Sequence, residues 1–377
     1  MIAFLFIFIN RMKDNLLYQI ALTLVPNIGS VQARLLLQQL SPKEIFSAKP
    51  STLQKIEGLG EVRVRSIKKF NDFARAEKEI DFIEKYKITP FFITDEHYPR
   101  RLLNCYDPPT MLYYRGNADL NASKIIAIVG SRSHTDYGAA ITEKLIGALA
   151  GTDILIVSGL AYGIDALSHK SALKNKLPTV GVLAHGLDKI YPPENTFMAK
   201  EMVQQGGLLT EFVSKTRPDR HNFPSRNRIV AGISDATIVV ETDIKGGSMI
   251  TAELANGYNK DVFAVPGKTT DKKSSGSNHL IKNNKAVLLT DAQQLLEAMG
   301  WQEEKKKSGG KKTRDLFIEL TKEEKTIVNL LNDSGQLAID EINHKSGLSS
   351  SAVAGAILNL EMQNVIQTLP GKIYKLL

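Results

Sequence analysis

Between residues 125 and 290 short β-rich apolar runs alternate with helical stretches, and this alternation constrains the fold more than any other feature of the 377-residue chain. The runs lie at 125–129, 154–158, 179–184, 208–211, 236–241, 262–266 and 287–290. Each is continuously apolar rather than alternating, as a strand must be when helices cover both of its faces. Strands joined through helices are βαβ units, so the predicted class is α/β with a parallel, doubly wound sheet. Ligands of such sheets bind outside the carboxyl ends of the strands, where helix N-termini leave N–H groups unpaired. Function is therefore sought first at those ends.

The flanks read differently. From about 14 to 70 the apolar residues recur at helical spacing, interrupted by two glycine turns at 25–29 and 56–60. Each turn has the character of a helix-hairpin-helix, which presents backbone N–H groups to a DNA phosphate, but a plain packing turn fits equally. The second hairpin, followed by Arg63, Arg65, Lys68 and Lys69, is the better candidate. Residues 303–314 are rich in Lys, Glu and Gly, which marks a solvated linker. Beyond it, Thr321 to Glu324 reads as a capping box opening a helix, and two further helices follow near 339–346 and 349–362. A tail hairpin at 365–376 completes a winged helix-turn-helix. The expected domains are a helical one at 12–75, the sheet domain at 76–300, a linker at 301–315 and a winged helix at 316–377. Residues 1–11 match nothing downstream and are expected to be a start extension preceding a true start at Met12.

The net charge of +8 and a pI near 9.2 favour a polyanionic partner without proving one. The single cysteine, Cys105, excludes an internal disulfide and a cysteine-rich zinc site, and a reducing, cytoplasmic compartment fits best. The apolar opening to Ile9 is far shorter than the roughly 20 residues that span a bilayer, so no membrane partner is expected. No metal-ligand spacing and no cofactor motif occurs.

The first sheet strand ends in Val129, Gly130, Ser131 and Arg132. The dinucleotide signature G-x-G-x-x-G is absent, and Arg132 stands where a second glycine would, which favours a nucleic acid or nucleotide phosphate over NAD. Strand two ends similarly with Gly159 and Gly163. Asp165 and His169 follow one helical turn apart, a spacing open to an acid/base pair but more simply structural. The run 217–228 gathers Arg220, Arg226, Asn227 and Arg228 around Phe223; cations track phosphates and a ring stacks on any base, which is what a single strand needs. Gly246, Gly247, Ser248 and Thr251 follow strand five. They allow close phosphate approach but do not form a Walker A loop, so ATP hydrolysis has no support. No catalytic constellation emerges, and the chain is not expected to be an enzyme.

Together these motifs resemble the DNA processing protein A family, also called Smf. The resemblance is carried by Val-Gly-Ser-Arg at 129–132, Ser-Gly-Leu-Ala at 158–161 with Gly-Ile-Asp at 163–165, Tyr-Pro-Pro-Glu-Asn at 191–195, Asn-Phe-Pro-Ser-Arg-Asn-Arg-Ile at 222–229 and Ala-Val-Pro-Gly at 264–267. It implies an extended Rossmann-like parallel sheet with an N-terminal helical (helix-hairpin-helix, SAM-like) domain and a C-terminal winged helix. It further implies binding and protection of incoming single-stranded DNA during natural transformation, loading of the RecA recombinase, and homodimerisation. On that pattern the strand lies over Gly130, Ser131 and Arg132, with Arg220 at the basic position and Phe223 supplying the ring. Two positions depart from the family: Tyr162 stands where many relatives carry Arg, and Gly246-Gly247-Ser248 replaces Ser-Gly-Ser. The third helix of the winged helix holds no Lys or Arg to read base edges.

Two other readings compete. A Rossmann-type hydrolase cleaving nucleotide glycosidic bonds would use Glu241 or Glu253 as its acid. A winged-helix regulator would bind duplex DNA, against which the uncharged third helix counts.

Overall fold

The residue sets on the two faces of one strand show why the strands read as unbroken apolar runs. In β3 (Ile125–Val129) Ile125, Ala127 and Val129 enter one buried layer, while Ile126 and Ile128 enter a second layer on the opposite face. Burial of each large side chain contributes about 1.5–3 kcal/mol, so neither face tolerates a polar residue. The computed structural model describes residues 2–302, 320–363, 365–369 and 372–376, with the backbone alone for 2–12. The linker expected at 301–315 lies mostly outside the described residues.

Two compact units form, one within Met1–Gln302 and one within Glu303–Leu377. The first opens with helices α1 (Ile2–Leu24), α2 (Ser30–Leu37), α3 (Pro42–Ser47), α4 (Pro50–Leu53), α5 (Gly60–Lys69) and α6 (Phe73–Tyr86). Next come β1 (Thr89–Phe92), α7 (Arg100–Leu103), β2 (Met111–Gly116) and β3. The alternating region then supplies α8 (Asp136–Ala148), β4 (Leu155–Ser158), α9 (Ile164–Lys174), β5 (Thr179–Val182), α10 (Thr196–Gln204), β6 (Gly206–Thr210) and α11 (Asn222–Ile233). It finishes with β7 (Ala236–Val239), α12 (Gly247–Gly257), β8 (Asp261–Ala264), α13 (Ser275–Lys282), β9 (Val287–Leu288) and α14 (Ala292–Ala298).

The nine strands order as β1-β2-β6-β5-β4-β3-β7-β8-β9. From β6 to β9 every pairing is parallel, and β1 and β2 add an antiparallel edge through β2 on β6. The chain winds outward from β3 in one direction through β4, β5 and β6, then returns to its other side with β7. The order reverses between β3 and β7, and such a switch point opens a crevice at the carboxyl ends of the strands.

The N-terminal helices share the unit and the core of the sheet: Ile20, Leu36, Ile45 and Leu59 are buried in the same layer as Ile125 and Val129. Residues 75 and 76, where a domain boundary is expected from sequence, fall inside α6, whose buried Ala76, Ile80 and Ile83 join that layer. Three of the four basic residues after the second glycine turn make hydrogen bonds within the helical region. Arg63 donates to the Gly58 carbonyl at 3.0 Å, Lys68 to the Phe46 carbonyl at 2.6 Å, and Arg65 pairs with Glu61 at 2.9 Å.

In the second unit, α15 (Lys322–Ser334), β10 (Gln336–Ala338), α16 (Ile339–Ser346) and α17 (Ser350–Met362) are followed by the hairpin β11 (Ile366–Leu369) and β12 (Ile373–Leu376). The expected capping box is present: Glu324 N–H donates to Thr321 Oγ1 at 3.2 Å and Thr321 N–H to Glu324 Oε2 at 2.9 Å. Strand β10 pairs with β12, a third strand too short to announce itself in the sequence.

Candidate nucleic-acid interface

The ends of β3 and β4 are joined backbone to backbone, and glycines make that approach possible. The Ile164 N–H donates to the Ser131 carbonyl at 3.1 Å. A Cβ on Gly163, which has a φ of +76°, would fall 2.1 Å from the Ser131 oxygen. Gly130 faces Ile164, where a Cβ would lie 2.6 Å from Cγ1. On the other flank, the Ser131 N–H donates to the Glu241 carbonyl at 2.7 Å, which ties the loop to the end of β7. These contacts hold Arg132 at the crevice, with its side chain exposed.

A cleft of about 550 Å³ opens there. It brings together Gly130, Ser131, Arg132, Gly159, Arg220, Phe223, Arg226, Asn227, Gly246, Gly247, Ser248 and Thr251, residues that lie as much as 121 positions apart in the chain. The Arg132 guanidinium sits 5.1 Å from the centre of the Phe223 ring, Arg226 sits 5.8 Å from it, and the Tyr191 ring lies tilted at 52° to it with centroids 6.4 Å apart. Two guanidinium groups thus lie within cation–π range of a half-exposed ring, and that of Arg132 is exposed. Arg220 is exposed, and its Nε donates to His221 Nε2 at 3.2 Å. Among the described residues neither Arg132 nor Arg220 has a carboxylate partner. The first turn of α12 adds unpaired N–H groups at Gly247 and Ser248, and Asn227 Nδ2 donates to the Gly247 carbonyl at 3.4 Å.

Arg226 belongs to the floor. It is 4% exposed and donates to the Gly159 carbonyl and, at 2.7 Å, to that of Val182. A Cβ on Gly159 would be 2.4 Å from its Nη1, so that glycine makes room for the guanidinium. Burial pushes the Arg226 pKa down to about 10, against the opposing pull of Asp165. Burial likewise raises the Asp165 carboxyl, with Arg226 opposing. Asp165 and Asp243 both line the cleft, and the sequence did not mark them as part of it. Asp243 is drawn toward Lys272, 3.7 Å away. Tyr191 was visible only as part of a motif, because nothing in its own neighbourhood shows that it will meet Phe223.

Two expected residues lie elsewhere. Arg228 is two positions beyond Arg226, about 200° round the helix, and faces away from the cleft. It binds the Asp107 carbonyl and the Glu211 carboxylate and is a structural residue rather than a free cation. Gly163 shapes the loop from beneath and does not line the cleft.

The residues considered for catalysis are committed to the framework. His169 is fully buried, its Nδ1 lies 2.7 Å from Thr179 Oγ1, and burial pushes its pKa down to about 3. The Thr179 hydroxyl donates to the Ile156 carbonyl, so it accepts from Nδ1–H and His169 is neutral. Asp165 instead accepts the Ala161 N–H at 3.4 Å, and no acid/base pair forms. Glu241 receives the Thr135 N–H at 3.0 Å beneath the start of α8, and Glu253 is paired with Lys285 at 3.4 Å. Neither glutamate lines the cleft. No group of His, Cys, Asp and Glu suited to a metal ion occurs among the described residues, and no described helix is long and apolar enough to cross a membrane.

The fold and cleft define a class: an extended Rossmann-like protein with a C-terminal winged helix. Residues 89–300 match the family model of DNA recombination-mediator protein A, and residues 315–372 match that of the DprA winged helix domain. The chain belongs to the DNA recombination-mediator protein A (DprA/Smf) family, and its role is that of a DNA-processing recombination mediator. It is 37% identical over 295 residues to Protein Smf of Synechocystis, covering 75% of this chain and 72% of the relative. It is 40% identical over 213 residues to the DNA processing protein DprA of Streptococcus pneumoniae, covering 56% and 75%. The crystal structure of DprA from S. pneumoniae superposes with a TM-score of 0.61 at 33% identity, over 72% of this chain and 98% of that one. DNA processing protein A from Helicobacter pylori, described for its single-stranded-DNA binding mode, superposes with a TM-score of 0.52 at 31% identity, over 57% and 96%.

Proposed function

We propose that the cleft binds single-stranded DNA, with phosphates held by Arg132, Arg220 and the first turn of α12 and a base stacked on Phe223. The observation that carries this reading is the grouping of Arg132, Phe223 and Arg220 at one crevice, where among the described residues neither arginine is in an ion pair. Unpaired cations beside a ring suit a flexible polyanion, and sequence-independent stacking suits a strand of any composition. The relative from H. pylori, which binds single-stranded DNA, supports the reading. On family grounds the bound strand is handed to the RecA recombinase in the cytoplasm, the protein acts as a homodimer, and no covalent chemistry is performed.

The test is a filter-binding comparison of one oligonucleotide sequence as single strand and as duplex. Tight retention of the single strand without turnover is expected. Preference for the duplex would favour the winged-helix regulator, and release of free bases from nucleotides would favour the hydrolase.

A further inference from the structure

Between β6 and α11 the chain is an irregular basic arch in which Lys215, Arg217 and Arg220 are exposed. An Asp219 turn brackets Arg220, with the Asn222 N–H on the Asp219 carbonyl at 3.0 Å and the His221 N–H on Asp219 Oδ1 at 2.8 Å, and the place of that turn over the cleft depends on how the two feet of the arch are held. The downstream foot is Asn222, whose Nδ2 donates to the carbonyls of Ala184 and Arg217 at 3.2 and 3.3 Å. The upstream foot runs from Ser214, which is 6% exposed, to Thr216; the Lys215 N–H donates to Asp188 Oδ1 at 2.7 Å and the Thr216 carbonyl accepts the Gly186 N–H at 3.2 Å.

Ser214 is gripped from α6, more than 130 positions earlier in the chain. The Glu79 carboxylate accepts the Ser214 N–H through both oxygens at 2.9 and 3.0 Å and the Ser214 hydroxyl at 2.6 Å. Arg75 donates to the Ser214 carbonyl at 2.6 Å and to Glu79 Oε2 at 2.9 Å. An ion pair serving α6 alone would need only the contact between Arg75 and Glu79. Here Glu79 is 1% exposed, and both partners reach across to the same residue. Lys215, next in the chain, has a φ of +65°, a conformation that persists where its surroundings over-determine it.

The geometry points to Arg75 and Glu79 as positioning residues for single-strand binding: by fixing Ser214 they set the arch so that Arg220 faces the cleft opposite Arg132. This rests on the proposed reading of the cleft. It also couples the N-terminal helices to the DNA site through α6.

The test is a double-mutant cycle on the full chain, titrating fluorescent oligothymidylate at several salt concentrations, with melting curves for every variant. Glu79→Gln is expected to weaken binding roughly three- to tenfold in the parent and to have no further effect in an Arg220→Ala background, as for two residues acting through one contact. The log-log salt slope should fall by up to about 0.7, one phosphate contact, in the parent alone. An equal loss in both backgrounds, or unchanged affinity in the parent, overturns the proposal. Should Glu79→Gln fail to fold, Ser214→Ala, which removes only the bridging hydroxyl, is carried through the same cycle with the same outcomes. If Arg220→Ala itself leaves affinity untouched, the cleft reading fails and the positioning role with it. If Arg220→Ala weakens binding while Glu79→Gln does not couple to it, only the positioning role fails.

Discussion

Helix α11 of the sheet unit and helix α17 of the winged helix are both candidates for meeting nucleic acid, and they present opposite chemistry. Helix α11 brings Phe223, Arg226 and Asn227 to a cleft that also holds Arg132 and Arg220. Helix α17 contains no Lys or Arg from Ser350 to Met362, and its outward residues include Ala354, Gly355, Leu358 and Met362. Electrostatic attraction to phosphate needs cations, which α17 lacks, although its exposed Ser350, Ser351 and Asn359 keep hydrogen-bonding groups. A winged-helix architecture therefore does not by itself bring a cationic third helix, and the cations that gather around an aromatic ring are those of the sheet cleft.

The largest expected effect separates the two helices by stability. Arg226→Ala strips the partner from two buried carbonyls and leaves Asp165 buried nearby, so it should destabilise the sheet unit by about 3–5 kcal/mol. Leu358→Ala, at a side chain 57% exposed on α17, should cost less than about 0.5 kcal/mol. Urea unfolding followed by circular dichroism measures both, and a small loss for Arg226→Ala would make that residue a free ligand rather than part of the floor.

Acid should divide the units next. The His169 pKa is pushed from 6.5 to about 3 in the folded protein, so between those values the unfolded chain binds the extra proton. Stability is then lost as pH falls below 6.5, by up to about 1.4 kcal/mol per pH unit from this group. The winged helix carries only His344, which is exposed. Trp301, the single tryptophan, packs on the sheet unit and reports on it alone by fluorescence. His169→Gln should flatten the pH dependence of its unfolding, and an unchanged dependence would assign the acid sensitivity elsewhere.

In binding, Arg132→Ala and Arg220→Ala should each weaken single-strand affinity by about 1.5–3 kcal/mol, as for a hydrogen bond to a charged group. Each should also lower the salt slope by roughly 0.7. Phe223→Ala should cost about 1–3 kcal/mol with the slope almost unchanged, since stacking releases no counterions. A slope that falls with Phe223→Ala would mean that the ring acts by holding Arg132. The smallest effect is expected from ending the chain after Gln302, which keeps Trp301 on its core and should leave single-strand affinity unaltered. A large loss on that truncation would restore the winged helix as a DNA-binding surface.

The class of fold was legible in the sequence because burial on both faces of a parallel sheet writes an unbroken apolar run for each strand. The glycines at 130, 159 and 246 were legible for a similar reason: each follows a strand end where a neighbouring group comes too close for a Cβ. The roles of the arginines were not. Arg226 and Arg228 stand in one motif with the same chemistry, and only the helical turn between them sends one to the floor of the cleft and the other to Asp107 and Glu211. Partnership in an ion pair depends on residues brought from other strands and helices, and no local pattern records it. The grip of Glu79 on Ser214 is the extreme case, joining segments that share no motif, spacing or periodicity. What the sequence determined by itself is what repeats along the chain, namely strands, helices, capping residues and glycine turns. What the tertiary structure alone decided is which charged groups are left unpaired, because that depends on long-range packing, and it is those unpaired groups that make the cleft a candidate for DNA.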